Sequence, residues 1–177
     1  MVDYGISRIV SDYMGMLGTS INSLALQDAC EKDGLKTVLM SSIPLRGICQ
    51  DYNWQKAMSS LSKKEIVIFC AGTGNPLFTT DSAACLRGIE MQADLIAKAT
   101  QVDGVYPADP VGLHSNVDFY KYLTYDEVIK RELKIMDLTA IALAKDYKIP
   151  IFVYNFSKKG LLKNIVLGKG RGTLIKD

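Results

Sequence analysis

The stretch from Glu65 to Ala71, apolar from Ile66 onward, constrains this chain more than any other. It is of strand length and runs directly into the loop Gly72-Thr73-Gly74-Asn75-Pro76-Leu77-Phe78. A short continuous apolar run is the pattern of a parallel strand buried on both faces. Thr79 to Ala93 follows with helical character, and Asp94 to Thr100 reads as a second buried strand. Strand, loop, helix, strand is the right-handed βαβ unit of an α/β sheet.

The flanking segments agree. Ile6 to Lys32 repeats apolar residues at three- and four-residue steps (Ile6, Ile9, Val10, Tyr13, Met14, Leu17, Ile21, Leu24), which predicts a helix stopped near Gly34. Leu35 to Met40 reads as a strand, and Trp54 to Leu61 as a short helix capped by Asn53. Further on, Tyr125 to Glu132 and Asp137 to Asp146 read as helices and Pro150 to Asn155 as a strand. A short helix or turn at Leu161 to Leu167 and a strand at Gly172 to Ile175 close the chain. The prediction is an α/β protein folded as one domain over residues 1–177, with no linker.

Composition narrows the function. The 177 residues are 48% hydrophobic with a formal net charge of +2, which excludes a disordered tail. No apolar run approaches the roughly 18 residues of a membrane span. The weak positive balance argues against a nucleic-acid binder. No signal peptide is readable, so a cytoplasmic location is expected. Cys30, Cys49, Cys70 and Cys85 form no C-x-x-C pair and no zinc spacing, and are read as reduced, structural thiols.

Three segments carry candidate chemistry. In the Gly72 loop, glycines admit close backbone approach, and Thr79, Thr80 and Asp81 fall where the following helix begins. Free N–H groups and a positive dipole end favour phosphate there; a glycine turn followed by an ordinary cap accounts for the same residues. The loop is neither a G-x-x-x-x-G-K-[ST] nor a G-x-G-x-x-G motif. The second segment, Lys98 to Pro110, follows the next strand and should open on the same sheet edge. Tyr106 suits base stacking and Asp109 ribose hydroxyls, although Asp103-Gly104 and Asp109-Pro110 also make plain turns. The third is Asp12, an acid among apolar neighbours in the first helix, suited to a sugar hydroxyl or to solvent. Met14, Met16 and Leu17 beside it read as core by default, or as a subunit contact. The lone His114 gives no nucleophile or metal pattern.

Taken together these segments resemble the bacterial uridylate kinases of the amino acid kinase superfamily, over nearly the whole chain from about Ser7 to Lys176. The matching stretches are Gly72 to Pro76, Thr79-Thr80-Asp81, Lys98-Ala99-Thr100, Val102 to Val105, Asp12 with Met14 to Leu17, Leu123-Thr124-Tyr125 and Met136-Asp137-Leu138. The resemblance implies a three-layer α/β sandwich around a largely parallel sheet. It implies transfer of the γ-phosphoryl group of ATP to UMP, with Mg²⁺, in pyrimidine nucleotide biosynthesis. Residue by residue, it implies that Asp12 contacts the UMP ribose. Thr73, Gly74, Asn75, Pro76, Leu77, Phe78, Thr79 and Thr80 form the UMP loop. Thr100, Tyr106 and Asp109 contact ATP, and Asp81 organises the reaction centre. It further implies a homo-oligomer, hexameric in the family, with GTP and UTP as effectors. An inactive nucleotide-binding regulatory protein of the same family is the alternative. The family's opening Lys-x-Ser-Gly-Glu strand, Gly-Gly-Gly-Asn loop and Arg-Gly pair have no counterpart here, and Gln101 stands where many relatives carry lysine. The expectation is therefore an N-terminally truncated chain that turns over poorly by itself.

Overall fold

A computed structural model of the chain describes residues 5–107 and 118–177. The backbone divides into two compact units, Met1–Leu86 and Arg87–Asp177.

The first unit contains α1 (Arg8–Lys32), β1 (Thr37–Ser41), β2 (Gln50–Asp51), α2 (Trp54–Ser62), β3 (Ile66–Cys70) and the start of α3 (Thr80–Glu90). Its sheet has the order β2-β1-β3, and both pairings are parallel. Local chemistry sets the boundaries. The Ser7 hydroxyl accepts from the Val10 amide at the start of α1, and the Asn53 side chain accepts from the Lys56 amide (2.9 Å) at the start of α2. α1 packs on β1 and β3. Its buried residues are Met16, Ser20 and Ser23, one apolar side chain beside two small serines. The apolar stripe of the sequence pattern points elsewhere: Tyr13 is 44% exposed, Met14 49%, Leu17 47% and Ile21 69%. Of the Met14, Met16 and Leu17 group, only Met16 is core. In β3, Ile68 and Cys70 are buried, Ile66 on the same face is exposed at the start of the strand, and Val67 and Phe69 on the other face are half-buried, so the strand is not buried throughout on both faces.

The second unit contains β4 (Ile96–Thr100), β5 (Tyr122–Leu123), α4 (Tyr125–Lys130), α5 (Leu138–Asp146), β6 (Ile151–Asn155), α6 (Leu161–Val166) and β7 (Thr173–Ile175). The sheet order is β4-β6-β7-β5. β4/β6 and β5/β7 are parallel and β6/β7 antiparallel. Both sheets are thus dominated by parallel pairing, as an α/β protein requires. A capping box between Thr124 and Glu127 starts α4, and the Asp137 carboxylate accepts from the Ala140 amide (3.0 Å) to start α5. Ile141, Ile151, Val153, Tyr125, Leu123 and Ile175 are almost wholly buried.

Two expectations need correction. β3 and β4 lie in separate sheets, so the βαβ unit drawn from the central sequence is not one sheet. β4 is not a buried strand either: Ala97 and Ala99 are exposed, and the burial alternates.

Thr173 is wholly buried. Its hydroxyl accepts from the Val105 amide (2.8 Å) and donates to the Tyr120 carbonyl, tying the β4–β5 connection to β7. Thr173→Val keeps the shape and strands the Val105 N–H. A buried donor left unpaired costs about 1–3 kcal/mol. Urea unfolding followed by circular dichroism should show a lower midpoint with an unchanged slope. An unchanged midpoint would show that the hydroxyl contributes nothing net.

Candidate functional site

The Gly72 loop leaves the carboxyl end of β3 through two successive left-handed residues, Ala71 (φ 60) and Gly72 (φ 58). Such a turn exposes backbone groups that the sheet no longer pairs. α1 and the residue after β1 supply the partners. The Ala71 amide donates to the Thr19 hydroxyl (2.9 Å), which donates to the Met16 carbonyl (2.7 Å). The Ser42 hydroxyl donates to the Gly72 carbonyl (2.7 Å). Gly74 (φ 80) lies so close to Ser42 that a Cβ there would sit 2.7 Å from the Ser42 carbonyl oxygen; only glycine fits. The Thr73 hydroxyl faces the Asn75 backbone, accepting from its amide at 3.2 Å.

At the end of the loop the Thr79 hydroxyl accepts from the Asp81 (3.1 Å) and Ser82 (3.2 Å) amides. Thr79 is therefore the cap of α3, as the plainer reading of this stretch holds. Thr80 and Asp81 form the first turn of α3, Thr80 exposed and Asp81 half-buried. Leu77 and Phe78 are 67% and 53% exposed, an apolar surface beside the polar turn.

Asp12 joins this loop although it lies 65 positions before Leu77 in the chain. Its Oδ2 accepts from the Leu77 amide at 2.8 Å, and the Arg8 Nε donates to both carboxylate oxygens at 2.9 and 3.1 Å. The carboxyl is held below its ordinary value, chiefly by the Leu77 amide. Desolvation opposes this, and the Arg8 hydrogen bond and charge assist. The amide bond also supports the strained Leu77 backbone (φ 73).

In the second unit, a cavity of about 450 Å³ opens beside the segment that follows β4. Thr100, Val102, Gly104, Tyr106 and Pro107 line one side. The Thr100 hydroxyl donates to the Val102 carbonyl (2.8 Å) and shapes the turn. The Tyr106 ring meets Phe119 edge-on at 6.0 Å. Asp103 accepts from Lys158 and from Asn155 (2.9 Å); the Lys158 hydrogen bond first, then Asn155, holds its carboxyl below the ordinary range. Lys98 lies inside β4, opposite Val153, and not on the loop. Asp109 and His114 lie outside the described residues.

The other wall was not foreseen. It consists of residues 131–135, the connection between α4 and α5, with the cations Arg131 and Lys134. The Arg131 guanidinium is held by the Tyr120 hydroxyl (3.0 Å) and Glu127 (2.8 Å) and stacks over the Tyr120 ring. Only the matched Met136-Asp137-Leu138 next to it hinted at this segment. Among the described residues no three His, Cys, Asp or Glu side chains converge as a metal cage. No helix of the described residues is long and apolar enough to cross a membrane.

Comparison with known proteins gives the family. Residues 3–155 match the amino acid kinase family, and the chain belongs to that family. It is 53% identical over 173 residues to the uridylate kinase of Vibrio cholerae, covering 98% of this chain and 71% of that protein. It is 54% identical over 171 residues to the uridylate kinase of Yersinia enterocolitica, covering 97% and 68%. The crystal structure of UMP kinase from Bacillus anthracis superposes with a TM-score of 0.94 at 38% identity, over 99% of this chain and 72% of that one.

The Asp12 tie has a pH signature. Because its folded pKa lies below the ordinary value of 3.8, the tie is complete above that value and is lost as pH falls through the lower folded one. The Leu77 amide shift, followed by NMR, should titrate with a midpoint below 3.8 and stop titrating in Asp12→Asn. The same low-pH midpoint in the variant would assign the effect to another group.

Proposed function

We propose that this chain is a uridylate kinase, transferring the γ-phosphoryl group of ATP to UMP to give UDP, with UMP on the Gly72 loop and ATP in the cavity of the second unit. The single observation that carries the reading is 53% identity to a uridylate kinase over 98% of the chain. The conformation of the loop supports it. The alternative, an inactive regulatory protein, has no comparable observation behind it.

Phosphoryl transfer asks little covalent chemistry of a protein. It asks for two nucleotides in line and for charge on the phosphate oxygens. In this reading the backbone from Thr73 to Phe78 and the Thr80 hydroxyl hold UMP. Thr79 contributes through the backbone, since its hydroxyl caps α3. Asp12 holds Leu77 in place and has acceptor capacity left for a ribose hydroxyl, because a carboxylate accepts about four bonds. Thr100, Tyr106 and Asp109 contact ATP in this reading, joined by the wall at residues 131–135, which brings the cations Arg131 and Lys134 to the cavity. Asp81 organises the reaction centre from the first turn of α3.

A kinase of this family works with a divalent metal, and we assign Mg²⁺. Mg²⁺ characteristically arrives on ATP phosphates and keeps much of its water. When bound it supplies positive charge at the phosphate oxygens. The reading also carries a cytoplasmic location, a role in pyrimidine nucleotide biosynthesis, and a homo-oligomer, hexameric in the family, that responds to GTP and UTP. The exposed apolar stripe of α1 supports the oligomer.

Thr80→Ala should weaken UMP binding by about 1–2 kcal/mol, near the value of one hydrogen bond to a charged group. Calorimetric titration of UMP into variant and parent measures it, and equal affinity would remove Thr80 from the site. In an active form of the protein, Asp81→Asn should lower kcat for UDP formation by about 10² or more with a smaller change in KM, the pattern of a group acting in the transition state. Equal losses in UMP affinity and in rate would make Asp81 a simple ligand contact.

A further inference from the structure

We propose that the outward face of α6 and the cations around it form a docking surface for an anionic phospholipid membrane, on which the protein rests without spanning it. None of these residues belongs to the proposed UMP or ATP surfaces.

Charge is segregated along the chain. From Tyr147 to Lys176 there is no aspartate or glutamate, and Lys158, Lys159, Lys163, Lys169 and Arg171 fall close together within that run. The whole chain carries a formal net charge of only +2, so the residues outside this run are net negative. A cationic surface on an otherwise acidic molecule orients it toward an anionic partner.

The fold then fixes which side chains of this run face outward. Leu161 and Ile165, four residues apart on α6, are buried with Tyr154, and Leu95 and Phe152 pack on the same cluster. At 3.6 residues per turn, Leu162, Lys163 and Val166 consequently point away from the buried row. Leu162 is 52% exposed, Val166 79%, and Leu167, at the end of the helix, 59%. A surface helix of a globular protein ordinarily presents polar residues on this side; here three aliphatic side chains flank a lysine. The Gly168 amide donates to the Ile165 carbonyl (2.9 Å) and the Lys169 amide to the Asn164 carbonyl (2.7 Å), so Lys169 is held at the end of the patch. Among the described residues, Lys159, Lys163 and Lys169 have no carboxylate partner. Lys158 pairs with Asp103, and Arg171 stacks over Phe119.

Aliphatic side chains among unpaired cations match a partner that is negative at its surface and apolar just beneath it. An anionic bilayer has that structure: its headgroups attract lysine, and the acyl boundary takes up leucine and valine. A second copy of the chain fits worse, because a two-fold contact would set the same cations against one another. Nucleic acid would engage the cations but leave Leu162, Val166 and Leu167 with nothing to do, since aliphatic side chains make no stacking platform for bases. No helix of the described residues is long and apolar enough to span a membrane, so the contact lies at the interface.

The test is flotation of the full chain with lipid vesicles on a density gradient, in which aggregated protein stays at the bottom. Vesicles of equal parts phosphatidylglycerol and phosphatidylcholine should bind the protein at least about tenfold more tightly than phosphatidylcholine alone, and added salt should weaken the binding. Lys163→Gln and Val166→Ser should each weaken it by about threefold or more. Both positions are exposed, and circular dichroism spectra matching the parent establish that the variants are folded. Absence of flotation, equal binding to the uncharged vesicles, or flotation unchanged in either variant overturns the proposal. A single-stranded oligonucleotide that binds as tightly as the anionic vesicles, with the same loss in Lys163→Gln, makes the patch a nucleic-acid site and overturns it as well.

Discussion

A buried parallel strand that turns sharply out of its sheet leaves backbone N–H and C=O groups with no partner, and the fold has to answer each one. At the end of β3 the answers come from side chains far away in sequence. Thr19 receives the Ala71 amide, Ser42 holds the Gly72 carbonyl, and Asp12 receives the Leu77 amide. Each short bond fixes a left-handed or strained residue that would otherwise cost free energy to hold. Thr19 and Asp12 both belong to α1, and this explains why the helix turns Met16, Ser20 and Ser23 toward the sheet and its larger apolar residues away. The first helix acts as the scaffold of the loop as much as a packing element.

The second unit solves a related problem differently. Its cavity is framed by a turn that Thr100 shapes from within and by the connection at residues 131–135, steadied by Arg131 on Tyr120 and Glu127. The loop after β3 thus consists largely of backbone in unusual conformations, and both candidate surfaces are shaped by ordinary polar side chains. Phosphoryl transfer can be served by such surfaces, because it needs placement and charge more than nucleophiles or acid–base pairs.

Much of this was legible in the residues. Periodicity located α1, α2, α4 and α5, and Asn53 and Asp137 mark helix starts that the hydrogen bonds match. The motif stretches led to the family. What stayed hidden has physical causes. The two-residue strands β2 and β5 are too short to show any period. A regular apolar stripe does not say which side of a helix faces the sheet; on α1 the inward side is Met16 with Ser20 and Ser23, and pattern reading treats the serines as polar surface. Local alternation of strand and helix does not say which strand pairs with which, so β3 and β4 were drawn together and lie in separate sheets. In the candidate site, the Gly72 loop could be read because its special residues are contiguous. The Asp12–Leu77 bond and the wall at residues 131–135 could not, since they bring together segments with no shared motif.

The central claim is that the loop after β3 is the UMP-binding element. Amide hydrogen exchange, read peptide by peptide on the chain with and without UMP, tests it most directly. The account predicts that UMP slows exchange across residues 72–80 while AMP at the same concentration does not. Protection by AMP and UMP alike, or UMP protection confined to the cavity of the second unit with the loop unchanged, would contradict it.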